Sequence, residues 1–218
     1  MRVSDKGLLE IAEHEGIVPA PYRDSVGVWT FGIGHTANAG GLDPQEMNSA
    51  MPVGDAALNA AIDRAIEVFQ TDVRKFETRV DAAINVPLEP HEFDALVSFD
   101  LNTGGIHRAK LTKAINAGEP GASRHFFGWL RPPEIRKRRT AEKNLFDTGD
   151  YDANGDRIPV WGTDSRGNLT GVVKTISGSE LLDRMNRPAP TDYAPDPSTP
   201  PAGFWAGLVA AVLSLFKK

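Results

Sequence analysis

Cysteine is absent from the 218 residues, which excludes a disulfide framework, a thiolate nucleophile and any Cys-ligated metal site. An excess of positive charge is lacking too. Against 24 Lys and Arg stand 29 Asp and Glu, a formal net charge of −5, which argues against a dedicated nucleic-acid binder. The basic run 131–143 reads instead as the solvated face of a helix. No apolar run of signal-peptide length opens the sequence, because Glu10, Glu13 and Glu15 interrupt Leu8, Leu9 and Ile11. Synthesis in the cytoplasm is therefore expected, with a separate route across the membrane, such as a pore, required if the substrate lies outside. What is present, 40% apolar residues, suffices for one substantial core.

Hydrophobic spacing predicts a mainly helical chain. Ser4 is a natural N-cap for a helix over 5–15, with Leu8, Ile11 and Ala12 on one face and Gly16 at its end. From 18 to 36, proline and glycine punctuate short β-branched and aromatic stretches, the pattern of a small antiparallel hairpin or meander. Leu58, Ile62, Ala65, Phe69, Val73, Phe76 and Val80 then recur every three or four residues, predicting a long amphipathic helix over 55–84, with room for one bend. Pro90 suits the first turn of a further helix whose face is Phe93, Leu96, Val97 and Leu101, stopped by Gly104-Gly105. Shorter helices are expected over 110–117, 120–129 and 133–147, and turn signals at Asn154-Gly155 and Arg166-Gly167-Asn168 predict a β-hairpin over 150–176.

A short helix over 178–185 would close a folded domain spanning 1–187. Six prolines between 188 and 201 then predict an extended linker over 188–203. The segment 204–218 reads as an apolar helix ending in Lys217-Lys218. Its apolar part, 204–216, would be about 20 Å long, against the roughly 30 Å core of a bilayer, so contact with a membrane surface is the expectation rather than a span.

The chemistry concentrates near the start. Glu15 lies on the stripe of Leu8, Ile11 and Ala12 and at the negative end of a helix dipole. Both circumstances disfavour its ionised form, as a general acid near neutral pH requires. Asp24 and Thr30 flank a turn around 25–27 that returns the chain alongside itself, so a carboxylate and a hydroxyl can border one position. Glu15 with Asp24 supplies the two carboxyls that glycoside hydrolysis uses. Taken singly, each residue has a plainer reading, as a helix-end glutamate, an Asx-turn aspartate and a strand threonine.

Their spacing and setting are more specific. Glu15-Gly16, Tyr22-x-Asp24, Gly27-Val28-Trp29-Thr30 and Gly32-x-Gly34-His35-Thr36 together resemble the catalytic segment of the phage-type lysozymes, glycoside hydrolase family 24. In that family a Glu, an Asp or Cys nine residues later and a Thr six beyond it form the site. The resemblance continues through 93–104, similar to the family's central helix and the turn after it, and through Arg138-Arg139-Thr140-Ala141-Glu142. It covers about 5–149. It implies an α+β, mainly α, lysozyme-like fold with a small N-terminal β-element and a helical lobe, to which the 150–176 hairpin is an addition.

By position, the resemblance implies Glu15 as general acid, Asp24 as base or electrostatic partner, and Thr30 as positioner of the attacking water. The expected reaction is hydrolysis of the β-1,4 bond between N-acetylmuramic acid and N-acetylglucosamine in peptidoglycan by a monomeric endolysin that acts with a separate, holin-like pore. No cofactor and no metal is expected: the stretch 150–156 begins like a calcium loop, but Trp161 stands where the bidentate glutamate belongs. Asn102, His35 and Arg138 are the secondary candidates for the substrate cleft. For His35 the competing role is pairing with a carboxylate to hold the β-element, and for Arg138 it is pairing with Glu15 or plain surface exposure. Competing functions are a lytic transglycosylase, which needs no base-activated water, and a non-catalytic wall-binding module.

Overall fold

Ser4 opens the first helix, α1 (Asp5–Glu15), its hydroxyl accepting the Gly7 N–H at 3.1 Å. The same residue is tied by its own N–H and hydroxyl to Asp94, at 3.0 and 2.5 Å, which fixes the start of α1 to the centre of the molecule. The computed structural model describes residues 1–48, 50–131, 133–153 and 157–187, and Met1–Asn186 make up one compact unit. The expected linker 188–203 and apolar segment 204–218 lie outside the described residues.

After α1 the chain forms a three-stranded antiparallel meander, β1 (Val18–Arg23), β2 (Trp29–Gly32) and β3 (His35–Thr36), in that spatial order. The register pairs Tyr22 with Thr30 and Phe31 with His35. One unbroken 29-residue helix, α2 (Asp55–Ala83), backs this sheet with its N-terminal half. At 1.5 Å per residue it is about 44 Å long, enough to run from the sheet into the helical lobe. Its buried stripe of Ile62, Ala65, Ile66, Phe69, Val73 and Val80 follows the periodicity seen in the sequence.

The centre of the helical lobe is α3 (Pro90–Thr103), begun by a reciprocal capping box between Glu89 and Glu92 and ended at Gly104. Phe93, Ala95, Leu96, Val97 and Phe99 are fully buried, so this helix is apolar nearly all round, as a core helix should be. α4 (Lys110–Asn116) and α5 (Arg136–Thr148) pack around it. Two expected helices differ. Residues Ala122–Gly128 wind as a 3-10 helix, because a seven-residue segment begun without a side-chain cap gains more by placing Phe126 edge-on to Phe99 and Phe146, at 5.5 and 5.9 Å, than from α-helical bonding. A 3-10 turn, Pro133–Ile135, also precedes α5, where a single helix over 133–147 was expected.

The last elements are β4 (Ile158–Thr163) and β5 (Leu169–Ile176), an antiparallel hairpin, followed by α6 (Gly178–Met185). The hairpin turn is the Arg166-Gly167-Asn168 signal, closed by Asp164 N–H to Asn168 O at 2.9 Å. The other turn signal, Asn154-Gly155, lies outside the described residues. Ile158, Val160 and Ile176 face the core, and Ile17 bridges to Val160 in parallel, so the hairpin lies directly alongside the chain leaving α1.

Candidate active site

Glu15 is the last residue of α1. Its side chain is 19% exposed and faces a cleft of about 600 Å³ that Ser25, Asn102, Lys137 and Arg138 also border. Gly34 closes on the carboxyl from the sheet side: a Cβ there would stand 3.3 Å from the Glu15 Cδ and Oε2. The Arg138 guanidinium donates to Glu15 Oε1. Of the readings the sequence left open for Arg138, pairing with Glu15 is the one the structure shows, and plain surface exposure is the one it rules out.

Arg138 is itself held from three sides. Its Nε donates to Glu142 at 3.1 Å, one turn along α5, and its remaining amino group reaches the Ser98 hydroxyl at 3.3 Å and carbonyl at 3.4 Å on α3. Arg139, fully buried, donates to Glu142 and to the Asn102 side-chain oxygen and lies over the Phe99 ring at 5.2 Å. Burial works against the charge of Arg138, but Glu15 and Glu142 more than offset it, so its pKa is raised. For Arg139 burial wins over the attraction of Glu142, and its pKa is lowered. The expectation of a solvated basic face therefore fails at its centre. Arg136 and Lys137 are exposed, while Arg138 and Arg139 are buried, because two glutamates inside the protein neutralise them.

Asp24 sits at the β1–β2 turn. Its Oδ1 accepts the N–H groups of Val26 and Val28 at 3.0 and 2.8 Å, and its own N–H donates to Val28 O at 3.0 Å. It is thus an Asx-turn residue with one carboxylate oxygen committed to the turn and Oδ2 unbonded among the described residues. Thr30, 3% exposed, donates its hydroxyl to Val28 O at 3.2 Å. That bond uses the hydroxyl's proton and leaves its oxygen as an acceptor.

Tyr22, two residues before Asp24, lies opposite Thr30 in register. Burial first, then the charges of Glu15 and of Asp24, push its hydroxyl well above the ordinary tyrosine range. The sequence reading used Tyr22 only as part of a motif.

The secondary candidates separate. Asn102 borders both the 600 Å³ cleft and a second hollow of about 390 Å³ formed with Gly34, Thr36, Arg79 and Arg108, so it stands midway along an extended groove. His35 does not reach that groove. It is 2% exposed, with Nδ1 on Asp72 at 2.6 Å and Nε2 on Leu42 O at 2.8 Å. With both ring nitrogens engaged inside the protein, assignment to the substrate is corrected: His35 ties β3 to α2. Ser98, Glu142 and Arg139, which orient Arg138 and Asn102, were missed. Only the four-residue spacing of Arg138 and Glu142 hinted at them.

Residues 12–142 match the Phage lysozyme family. An endolysin of Acyrthosiphon pisum secondary endosymbiont phage 1 is 30% identical over 160 residues, which span 68% of this chain and 99% of the relative. The endolysin of Salmonella phage P22 is 29% identical over 153 residues, 67% of this chain and 98% of its own. Among solved structures, the endolysin from Escherichia coli O157:H7 phage FAHEc1 superposes with a TM-score of 0.57 at 27% identity, covering 69% of this chain and 96% of that one. The matched span contains Glu15, Asp24 and Thr30 and ends before the β4–β5 hairpin. On this match the chain belongs to the phage lysozyme family and is a peptidoglycan-degrading glycosidase.

Proposed function

We propose that the protein hydrolyses the β-1,4 bond between N-acetylmuramic acid and N-acetylglucosamine, with Glu15 as general acid, Asp24 as base or electrostatic partner and Thr30 as an acceptor that orients the attacking water. The observation that carries this reading is the cleft of about 600 Å³ bordered both by Glu15, with Arg138 in contact, and by Ser25, the residue after Asp24. Glu15 takes up a proton before turnover, gives it to the leaving oxygen as the glycosidic bond breaks, and returns to the carboxylate that the Arg138 guanidinium pairs with in the resting site. On the opposite side, Asp24 Oδ2 and the Thr30 oxygen are the two acceptors not consumed by the turn, which is what holding a water molecule requires.

Digestion of purified peptidoglycan followed by mass spectrometry of the fragments tests this. Wild type is expected to yield hydrated reducing ends, and Glu15→Gln none. Anhydro ends from wild type would replace hydrolysis by a transglycosylase reaction and remove the role of Asp24. No cleavage at all would leave a wall-binding module.

The biological setting that fits is bacterial lysis, with the enzyme made inside the host and passed to the wall through a separate pore. Among the described residues no helix is long and apolar enough to cross a membrane. Segment 204–216, outside those residues, is proposed to contact a membrane surface through its apolar side chains. Liposome binding unchanged after deletion of 188–218 would refute that.

A further inference from the structure

The β4–β5 hairpin, which follows the family-matched span, meets the catalytic segment at three places, each within two residues of one of the proposed catalytic residues. Two residues after Glu15, the Ile17 N–H donates to Pro159 O at 2.9 Å and its carbonyl accepts the Trp161 N–H at 2.8 Å. One residue before Asp24, the Arg23 N–H donates to Gly167 O at 2.8 Å. One residue before Thr30, the Trp29 indole lies against Gly167 so closely that a Cβ on the glycine would come within 2.7 Å of its Cζ3 and 2.9 Å of its Cη2. The Arg23 guanidinium stacks on that ring from 4.5 Å.

These contacts span the two sides of the site. One end of the hairpin grips the chain where it leaves α1, and the other grips the tip that carries Asp24. Between them β4 and β5 are paired along their length and anchored in the core by Ile158, Val160 and Ile176. The turn presenting Gly167 is itself fixed, because Asp164 Oδ1 accepts from Arg166 N at 2.8 Å and Asn168 N at 2.9 Å, and Oδ2 from Asn168 Nδ2 at 2.9 Å. The catalytic turn, by contrast, projects Val26 and Val28 into solvent, 66% and 42% exposed, and has little packing of its own.

We propose that the β4–β5 hairpin is a strut that sets the position of the Asp24 turn relative to Glu15, with Gly167 as the positioning residue at its tip. The proposal rests on the assignment of Glu15, Asp24 and Thr30 made above. Hydrolysis with a water held between two carboxyls depends on their separation, and a displacement of about 1 Å in a reacting group costs on the order of a hundredfold in rate. Gly167 has φ +81° and no room for a side chain, so any substitution moves either its own turn or Trp29.

The test compares kcat and KM on soluble peptidoglycan strands at a temperature where circular dichroism shows every variant folded. Gly167→Ala and Asp164→Ala, one pushing the contact and the other loosening the turn behind it, are expected to lower kcat roughly ten- to a hundredfold with KM within about twofold. Trp29→Phe in the Gly167→Ala background removes the two indole atoms that the new methyl meets and is expected to recover part of kcat. Val172→Thr, on the exposed side of β5, is expected to match wild type. A KM increase at unchanged kcat, or wild-type kcat in both Gly167→Ala and Asp164→Ala, would overturn the strut while leaving the chemistry intact. Glu15→Gln run alongside separates the two ideas, since wild-type turnover in that variant would overturn the catalytic assignment and the strut with it.

Discussion

The two sides of the candidate site are stabilised in different ways. The β side is local: within the 18–36 segment, Asp24 is held by N–H groups two and four residues away and Thr30 by a carbonyl two residues away. The helical side is assembled from afar, since Glu15, Ser98, Asn102, Arg138, Arg139 and Glu142 come from three helices and meet in a network whose Arg138, Arg139 and Glu142 are buried. A turn of backbone hydrogen bonds tolerates the loss of a charge. A buried network does not tolerate the loss of a partner, because the charge left behind keeps its desolvation cost and loses its compensation.

Isosteric and truncating substitutions on the two sides should therefore behave oppositely. Asp24→Asn keeps Oδ1 as the acceptor for Val26 and Val28 and removes only the charge. Steady-state assays are expected to show kcat reduced by about 10²- to 10⁴-fold, with folding stability changed by less than about 1 kcal/mol. An equal loss of stability would mean that the turn, rather than the reaction, needs the negative charge. Arg138→Met leaves Glu15 without its cation and Glu142 with one of two. Urea unfolding is expected to show a loss of about 3–5 kcal/mol. Arg138→Lys should fall between, since one ammonium cannot serve Glu15, Glu142 and Ser98 together. A fully stable Arg138→Met would show that the network is dispensable to the fold.

The same contrast explains what could be read from the sequence. The β-element and the three proposed catalytic positions were legible because their geometry is encoded within about twenty consecutive residues, by turn residues, alternation and helix caps. The long helix α2 and the core helix α3 were legible because burial repeats with the helical period. The burial of Arg138 and Arg139 was not, since a basic run looks solvated until Glu142, Ser98 and Asn102 are known to surround it. Nor was the strut. The turn at 166–168 was readable, but its contact with Trp29 joins segments more than a hundred residues apart, and no local pattern encodes it.

Gly34 lies on the border between the two sides and should show an intermediate effect. With φ +74° and the place of a Cβ 3.3 Å from the Glu15 carboxyl, Gly34→Ala adds the strain of a left-handed alanine, about 1–2 kcal/mol, and pushes the acid. Stability is expected to fall by that amount, and kcat by more than the loss of folded protein explains. Gly27, with φ +82° but nothing within 4 Å of a Cβ, supplies the comparison: Gly27→Ala should carry the backbone strain without the push on Glu15. Equal kcat losses in the two variants would show that strain in the sheet, and not contact with the carboxyl, sets the rate.

The smallest effect belongs to His35, where the local element is pinned to the distant one. Burial opposes a charged ring there, but the hydrogen bond and charge of Asp72, with the Leu42 carbonyl, outweigh burial and the nearby Lys75 ammonium, so its pKa is raised above the ordinary histidine value. The folded state then binds the proton more tightly than the unfolded chain does. The stabilisation is complete below about pH 6.5, the ordinary histidine value, and disappears as pH rises through the higher folded value. Urea unfolding of wild type is expected to show greater stability at the acidic end of that interval than above it. Asp72→Asn removes the cause of the shift and should flatten this dependence, whatever it does to stability itself. A pH dependence that survives in Asp72→Asn would place the titrating group elsewhere and leave His35 a neutral hydrogen-bonding link between β3 and α2.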